Sequence, residues 1–458
     1  MPFWAGTDSG KLRRPGELRR PGGLKTDMAR VRGLRPTLFA LAAAVGTIVV
    51  ASAQAQSSGA LPYLPAFVQE EAGIGTGMLD TKGITVKSAA DEVTFHIGGR
   101  LHYDAGAAGL DPALKSPALR TNGGIRRGWF EPSLSFSNGV TLGFQYDFAT
   151  TTRPINDAAL GYKGLEPFNV VFGNFKEPFS LNQLESNNTT LFTERSLLDT
   201  FAPGRDFGLL FGTHGERWTL AGGAFGGNVN TGLADNCVAG TARFTYAPIL
   251  TKDQILHFGV AGSYRASDRN GTPQSFSARP EDNLFATALV STGTLRGADA
   301  VARFGLEAAY ELNPFRLEGE YVLTTVSGGG TRDRSFQAGY VEGSWVINGH
   351  ARSYSLVSRY ASEYAVFKGL EVGDGQRVSH GGVGVFELAA RFSAIDLQSG
   401  AVRGGVQRDA TVGLNWYPDN NIRFMADYIR AHAEPSAMSV TGRTVDSDIF
   451  IGRLQVYW

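Results

Sequence analysis

The chain ends Phe450-Ile451-Gly452-Arg453-Leu454-Gln455-Val456-Tyr457-Trp458. In an extended strand Phe450, Gly452, Leu454, Val456 and Trp458 share one face, and Ile451, Arg453, Gln455 and Tyr457 share the other. The first face is mostly apolar. The second carries an arginine and a glutamine. A strand that is apolar outward, polar inward and ends on an aromatic suits a barrel wall between lipid and water. An ordinary half-buried antiparallel strand alternates in the same way, so the remainder of the chain must separate the two.

The pattern recurs. Val140, Leu142, Phe144, Tyr146 and Phe148 alternate with Thr141, Gly143, Gln145, Asp147 and Ala149. Phe315, Leu317, Gly319, Tyr321 and Leu323 alternate with Arg316, Glu318, Glu320, Val322 and Thr324. Charge on the hidden face, repeated in about a dozen strands, argues against a packed sandwich, whose core would be apolar. Strands are expected near 93–104, 126–137, 140–149, 157–163, 168–175, 206–212, 217–225, 240–247, 255–265, 302–311, 314–325, 335–347, 384–395, 409–417, 421–431 and 449–458. The fold class is therefore all-β, a transmembrane antiparallel barrel of about sixteen strands with both ends on the periplasmic side. Short turns at 137–139, 312–314 and 418–420 alternate with long loops at 105–125, 226–239, 266–301 and 432–448. Segments 176–205, 266–301 and 348–382 are longer than turns need. A sixteen-stranded barrel is wider than its side chains can fill, so some of these segments are expected to fold inward as constriction loops.

Hydrophobic residues make up 42% and charged residues 19%, with 59 Gly, 29 Phe and a single Cys. High glycine and low charge fit a large β architecture. Arg30, Arg32 and Arg35 precede an uncharged run, Thr37 to Val50, and small-x-small sites at Ala51-Ser52-Ala53 and Ala53-Gln54-Ala55. This reads as a secretory signal peptide at 28–56. Residues 1–27 read as upstream sequence ahead of a true start at Met28. Residues 57–82 form an N-terminal periplasmic segment, and 83–458 the barrel. Without residues 1–56, thirty-four basic and forty acidic residues remain, a net of about −6. A mildly acidic exported chain is a poor nucleic-acid binder. Cys237 has no internal partner for a disulfide, which leaves a loop thiol or an intermolecular link. Export without a second membrane helix points to the bacterial outer membrane, with lipid and lipopolysaccharide as neighbours.

No catalytic constellation, metal motif or cofactor loop is visible. His96 and His102 lie six apart on one strand, too far to share a metal, and Gly328-Gly329-Gly330 lacks the Lys-Ser/Thr of a phosphate loop. What recurs is arginine on the water face: Arg100, Arg127, Arg243, Arg265, Arg303, Arg316, Arg391, Arg423 and Arg453. Rings of basic side chains build anion pathways, and the guanidinium fork suits phosphate. Asp104, Asp147, Asp157, Glu307, Glu318, Glu320, Glu342, Glu387 and Asp427 face the same way. The charges are either an anion path or mutually paired wall charges.

From Gly98-Gly99-Arg100-Leu101 onward the chain resembles the phosphate- and polyphosphate-selective porins of bacterial outer membranes. The resemblance rests on Arg126-Arg127-Gly128-Trp129, Gln145-Tyr146-Asp147-Phe148-Ala149 and Asp157-Ala158-Ala159-Leu160-Gly161-Tyr162. It continues through Phe172-Gly173-Asn174-Phe175-Lys176-Glu177-Pro178-Phe179-Ser180-Leu181, Phe192-Thr193-Glu194-Arg195 and Phe201-Ala202-Pro203-Gly204-Arg205. Later stretches are Phe386-Glu387-Leu388-Ala389-Ala390-Arg391-Phe392 and Gly413-Leu414-Asn415-Trp416-Tyr417. It implies a sixteen-stranded barrel, usually a homotrimer, whose inward loops and basic residues guide phosphate. By this likeness Arg126 and Arg127 match a paired constriction arginine, Lys176 opens the constriction loop, and Asp157 lies near the narrowest point.

The expected function is a passive diffusion channel for small hydrophilic solutes that prefers inorganic anions such as phosphate or polyphosphate. Anion contacts are expected from Arg100, Arg126, Arg127, Lys176, Arg205, Arg243 and Arg265. The constriction is expected at Trp129, Asp157, Glu194 and Arg195. The chain departs from the family in offering no lysine on the strand 140–149 and in mixing acids into 348–382. A general or weakly cation-selective porin, and a surface-attachment barrel, are the alternatives.

Overall fold

The computed structural model describes residues 74–80, 83–88, 90–111, 119–231, 237–266, 274–285, 287–328, 333–350, 352–358, 362–435 and 443–458. The expected upstream extension and signal peptide lie outside the described residues.

Strands β1 (Ile74–Asp80) and β2 (Gly83–Ser88) form a hairpin. The wall begins with β3 (Val93–Leu110), β4 (Leu119–Phe136), β5 (Val140–Asp147), β6 (Ile155–Leu165) and β7 (Phe168–Lys176). It goes on through β8 (Arg205–His214), β9 (Trp218–Phe225), β10 (Val238–Leu250) and β11 (Gln254–Ala266). A short pair, β12 (Ser277–Ala278) and β13 (Val290–Ser291), interrupts before β14 (Ala300–Leu312), β15 (Phe315–Ser327) and β16 (Arg334–Val346). A second short pair, β17 (Tyr354–Ser358) and β18 (Glu363–Phe367), precedes β19 (Val385–Ser399), β20 (Val402–Asp419), β21 (Ile422–Ala433) and β22 (Val445–Tyr457). Among the described residues, sixteen strands pair antiparallel with their neighbours, and β22 closes the ring on β3 from Tyr457↔Arg100 to Ser447↔Leu110. Where β22 ends, β2 takes over the same edge of β3, from Ile84↔Ile97 to Lys87↔Thr94.

Each of the sixteen expected segments forms a strand, and parity holds outside the register shifts. Phe450, Leu454 and Trp458 are exposed on the outside, whereas Arg453 and Gln455 are buried inside. The boundaries moved most at the first loop. Expected at 105–125, it shrinks to 111–118 because β3 and β4 run on through Ala105-Gly106-Ala107-Ala108-Gly109 and Thr121-Asn122-Gly123-Gly124. Small residues in a strand carry no readable alternation. The expected loop at 432–448 shrinks for another reason. Its flanks pair as strands whose outward side chains, His432, Asp446 and Asp448, are polar. Strands β5 to β9 have 8 to 11 residues, close to one bilayer crossing, whereas the other wall strands have 12 to 18 and extend further. At Gly173, with φ of 133°, a Cβ would stand 2.2 Å from the Ala158 carbonyl oxygen, so the β6–β7 pairing requires glycine there.

The apolar core lies inside the barrel. Three connections enter the lumen in their described parts: 177–204 between β7 and β8, 274–299 (without 286) between β11 and β14, and 347–384 (without 351 and 359–361) between β16 and β19. From the first, Phe179, Leu198 and Phe201 pack with Phe276 and Val290 of the second against Val322, Phe336 and Ile395 of the wall. From the third, Tyr364 packs with Val171, Phe175 and Leu210, and Val366 and Phe367 pack with Leu181 and Leu184. Burying each such side chain is worth about 1.5–3 kcal/mol, enough to hold a loop in an otherwise wet space. The expectation that long segments narrow the lumen is met for the described parts of all three.

Candidate functional site

The site starts from an irregularity in pairing. His102 pairs with Arg127 and Tyr103 with Ile125, so Arg126 is an extra residue in β4. Such a bulge re-aims side chains. Strict alternation would send Arg126 outward. Instead both guanidiniums of the Arg126-Arg127 pair reach Glu194 on the 177–204 loop.

Glu194 is a hub. Arg126 donates to it twice, at 2.7 and 3.0 Å, Arg453 donates at 2.9 Å, and Arg127 stands at 3.5 Å. Burial pushes its carboxyl up, but the three guanidiniums outweigh this and hold it well below the usual carboxylate range. Two residues further along β4, Trp129 presents its ring to Arg100, whose Cζ lies 4.3 Å from the ring centroid, and to Arg205 at 5.7 Å. Arg100 pairs with Glu131 at 2.6 Å, Arg205 with Asp157 at 2.6 Å, and Gln145 donates to Glu131 at 2.9 Å.

Two hollows flank this layer. One, of about 310 Å³, is lined by Arg126, Arg127, Glu194 and Arg195, by Asp199 of the 3-10 turn Leu197–Thr200, and by Arg279 and Asp282 of the 267–299 connection. The other, of about 330 Å³, is lined by His96, Arg100, Glu131, Ser133, Asn188 and Trp458. On β4, Arg127 borders the first and Glu131 the second, and Trp129 lies between them. Arg127 Nη1 and Trp129 Nε1 are buried with no hydrogen-bond partner among the described residues. Arg195 spends its donors on the carbonyls of Asn182, Gln183 and Glu185 rather than on a carboxylate. Arg279 is exposed to the hollow.

Of the expected site residues, Arg100, Arg126, Arg127, Arg205, Trp129, Asp157, Glu194 and Arg195 come together here. Arg243 and Arg265 do not, and Lys176, cross-strand from Arg205, borders the cluster with its amine taken up by other groups. Lys176 Nζ is held by the carbonyls of Leu184 (2.7 Å) and Glu185 (3.1 Å) and by Glu363 (3.2 Å). Arg243 binds Glu307 and the carbonyls of Tyr364 and Ala365. Ala365 has φ of 52°, a left-handed turn that brings two successive carbonyls to one guanidinium. Arg265 is shared between Glu177 and Asp206, each at 2.5 Å. These three cations fasten inserted segments and wall. Arg279, Asp199 and Asp282 were missed. The charged run Arg279-Pro280-Glu281-Asp282 is visible in the sequence, but nothing in a loop's composition says which way it folds.

Elsewhere on the wall, on β15 to β21, most inward acids have partners. Glu318 contacts Arg316, Glu342 lies 3.3 Å from Arg391, and Glu387 lies 2.9 Å from Arg352. Glu320 accepts from the backbone N–H groups of Leu181 and Asn182, and Asp427 from that of Thr193. His102 contacts Asn188 at 2.9 Å and His96 contacts Thr85 at 3.2 Å. Among the described residues no group of three His, Cys, Asp or Glu is placed to hold a metal.

Comparison with known proteins agrees with the barrel fold. Porin O of Pseudomonas aeruginosa is 22% identical over 453 residues, covering 89% of this chain and 97% of that protein. Among solved structures, an anion-selective porin from Comamonas acidovorans superposes with a TM-score of 0.51 at 10% identity, covering 80% of this chain and all of that one. The trimer form of in-vitro folded OmpT of Vibrio cholerae gives 0.50 at 12%, with 80% and 100% covered. At such identities the structures speak for the fold. The model of the phosphate-selective porin O and P family matches residues 95–458. The chain is a passive porin of the outer membrane, and it belongs to the phosphate-selective porin O and P family.

Proposed function

We propose that this porin prefers small anions, with phosphate and polyphosphate as the physiological class. The observation that carries the reading is the hollow beside Trp129, where Arg126, Arg127, Arg195 and Arg279 converge and Arg127 Nη1 has no hydrogen-bond partner among the described residues. Guanidiniums in a narrow, low-dielectric passage attract anions and bind oxyanions through paired donors. The Porin O relative and the anion-selective structural neighbour support the same direction. A trimer is the proposed assembly, by analogy with the trimeric neighbour, and outer-leaflet lipid and lipopolysaccharide are its proposed surroundings. Reversal potentials of the refolded chain in planar bilayers test the reading. In a potassium chloride gradient the current should be carried mainly by chloride, and millimolar phosphate should reduce it. A cation-carried current would reject anion preference. A second reading, a pore of balanced charge, draws on the pairing of Arg100, Arg126 and Arg205 with carboxylates. It predicts weak selectivity and no response to phosphate.

A further inference from the structure

The hollow of about 310 Å³ contains a feature that anion attraction alone does not explain. Alongside its guanidiniums it holds Asp199 and Asp282. Asp199 Oδ1 and Asp282 Oδ2 are buried with no hydrogen-bond partner among the described residues. Asp282 is 3% exposed. Its other oxygen accepts from the Phe285 N–H at 2.8 Å, which fixes the carboxyl in place. Among the described residues neither makes an ion pair at salt-bridge distance, though Arg195 lies near Asp199 and Arg279 near Asp282, whereas Glu194 is claimed by three arginines and Glu281 by Arg391, Ser393 and Thr411. A bare carboxylate oxygen repels every anion that has no hydrogen to give. It attracts one that does.

Resting on the anion-pore reading above, we propose that Asp199 and Asp282 are specificity-determining residues that accept the hydroxyl hydrogen of a protonated oxyanion while Arg127 and Arg279 hold its unprotonated oxygens. The permeant class so selected is a tetrahedral oxyanion bearing an O–H, such as hydrogen phosphate. Sulfate has the same shape and charge without the hydrogen. A site built around an O–H discriminates against the analogue that lacks it far more strongly than size alone allows, because its polar groups are left unpaired. Burial pushes the Asp282 carboxyl up to about 6, so near neutral pH it is a charged acceptor.

The test is bi-ionic reversal potential across bilayers containing the full refolded porin. Potassium hydrogen phosphate faces potassium sulfate, and then potassium monofluorophosphate, at mildly alkaline pH where all three anions are dianions. Monofluorophosphate replaces the hydroxyl by fluorine and cannot donate. The wild-type pore should favour hydrogen phosphate over both competitors by roughly tenfold, the weight of one charge-assisted hydrogen bond. Asp282→Asn and Asp199→Asn, close isosteres, should each bring that ratio toward unity while chloride preference over potassium is kept or rises. A wild-type pore that passes hydrogen phosphate and monofluorophosphate equally would overturn the inference without any variant. So would an unchanged ratio in both variants. A cation-selective wild type in the chloride gradient would instead overturn the reading beneath it, so the two failures are distinct.

Discussion

Two walls of one barrel carry the same inward arginines and treat them differently. On β15 to β20, Arg316, Arg391 and Arg352 each meet a buried carboxylate, and the inserted segments supply part of the contact. Glu185 and Glu281 come from such segments, and Arg352 itself belongs to one. On β3 and β4, Arg127 stands 3.5 Å from Glu194, whose carboxylate Arg126 and Arg453 hold more closely. Among the described residues Arg127 Nη1 and Trp129 Nε1 have no hydrogen-bond partner, and Arg316 and Arg352 also leave donors unpartnered, but each beside a close ion pair. The difference lies in the loops. An arginine becomes a fastening when a loop lays a carboxylate close on it, and it keeps more to offer a solute when that carboxylate is shared with other cations, as Glu194 is.

Breaking a fastening should have the largest effect. Arg352 donates to Glu387 at 2.9 and 3.1 Å with both side chains buried. Arg352→Ala leaves a buried charge without its partner, which costs about 3–5 kcal/mol. Equilibrium urea refolding into lipid vesicles should show that loss. A loss below about 1 kcal/mol would mean that the 347–384 segment is held by its apolar contacts alone. Arg127→Glu probes the other wall. It should cost less stability than Arg352→Ala, because its pair with Glu194 is looser, but lower the chloride-to-potassium permeability ratio by about tenfold, the effect of a charge reversed in a narrow pore. If that variant unfolds the barrel while Arg352→Ala does not, the contrast between the walls is reversed. Trp129→Ala sharpens the contrast by removing the ring that Arg100 and Arg205 share. Each cation–π contact is worth about 0.5–2 kcal/mol. Single-channel conductance should rise as the aromatic bulk leaves, with selectivity kept. An unchanged conductance would place the narrowest point elsewhere.

The wall was legible because its signal has a period. Arg453 and Gln455 alternate with Leu454 and Val456 whatever surrounds them, and the same holds along most of the wall. The site was legible only where that period ran unbroken. Arg127 is inward by parity, but the inward turn of Arg126 depends on one extra residue in the pairing with β3, and a register shift leaves no mark on composition. Lys176, Arg243 and Arg265 show the converse limit. Parity turned Arg243 and Arg265 inward and the likeness placed Lys176 at the loop, but the carbonyls and carboxylates that occupy them come from residues as far along the chain as Glu363 and Tyr364. Asp282 carries no periodic signal at all. Its importance follows from where 267–299 folds, which depends on Phe276 and Val290 finding apolar partners inside the barrel.

The outside of the barrel supplies the smallest effect. Arg430 pairs with Asp448 at 2.6 Å, as close as Arg100 pairs with Glu131, but its side chain is 46% exposed against 3%. Distance alone would rank the two pairs equal. Solvent should separate them, because water and salt screen an exposed pair and leave it worth about 0–1 kcal/mol. Arg430→Ala should therefore change urea stability by less than about 1 kcal/mol, and the change should shrink further at high salt. It should not alter ion selectivity, since parity places the side chain outside the lumen beside Tyr428. A shift in reversal potential on Arg430→Ala would mean that outward charges act through the wall, and that the two inner walls cannot be treated as separate electrostatic compartments.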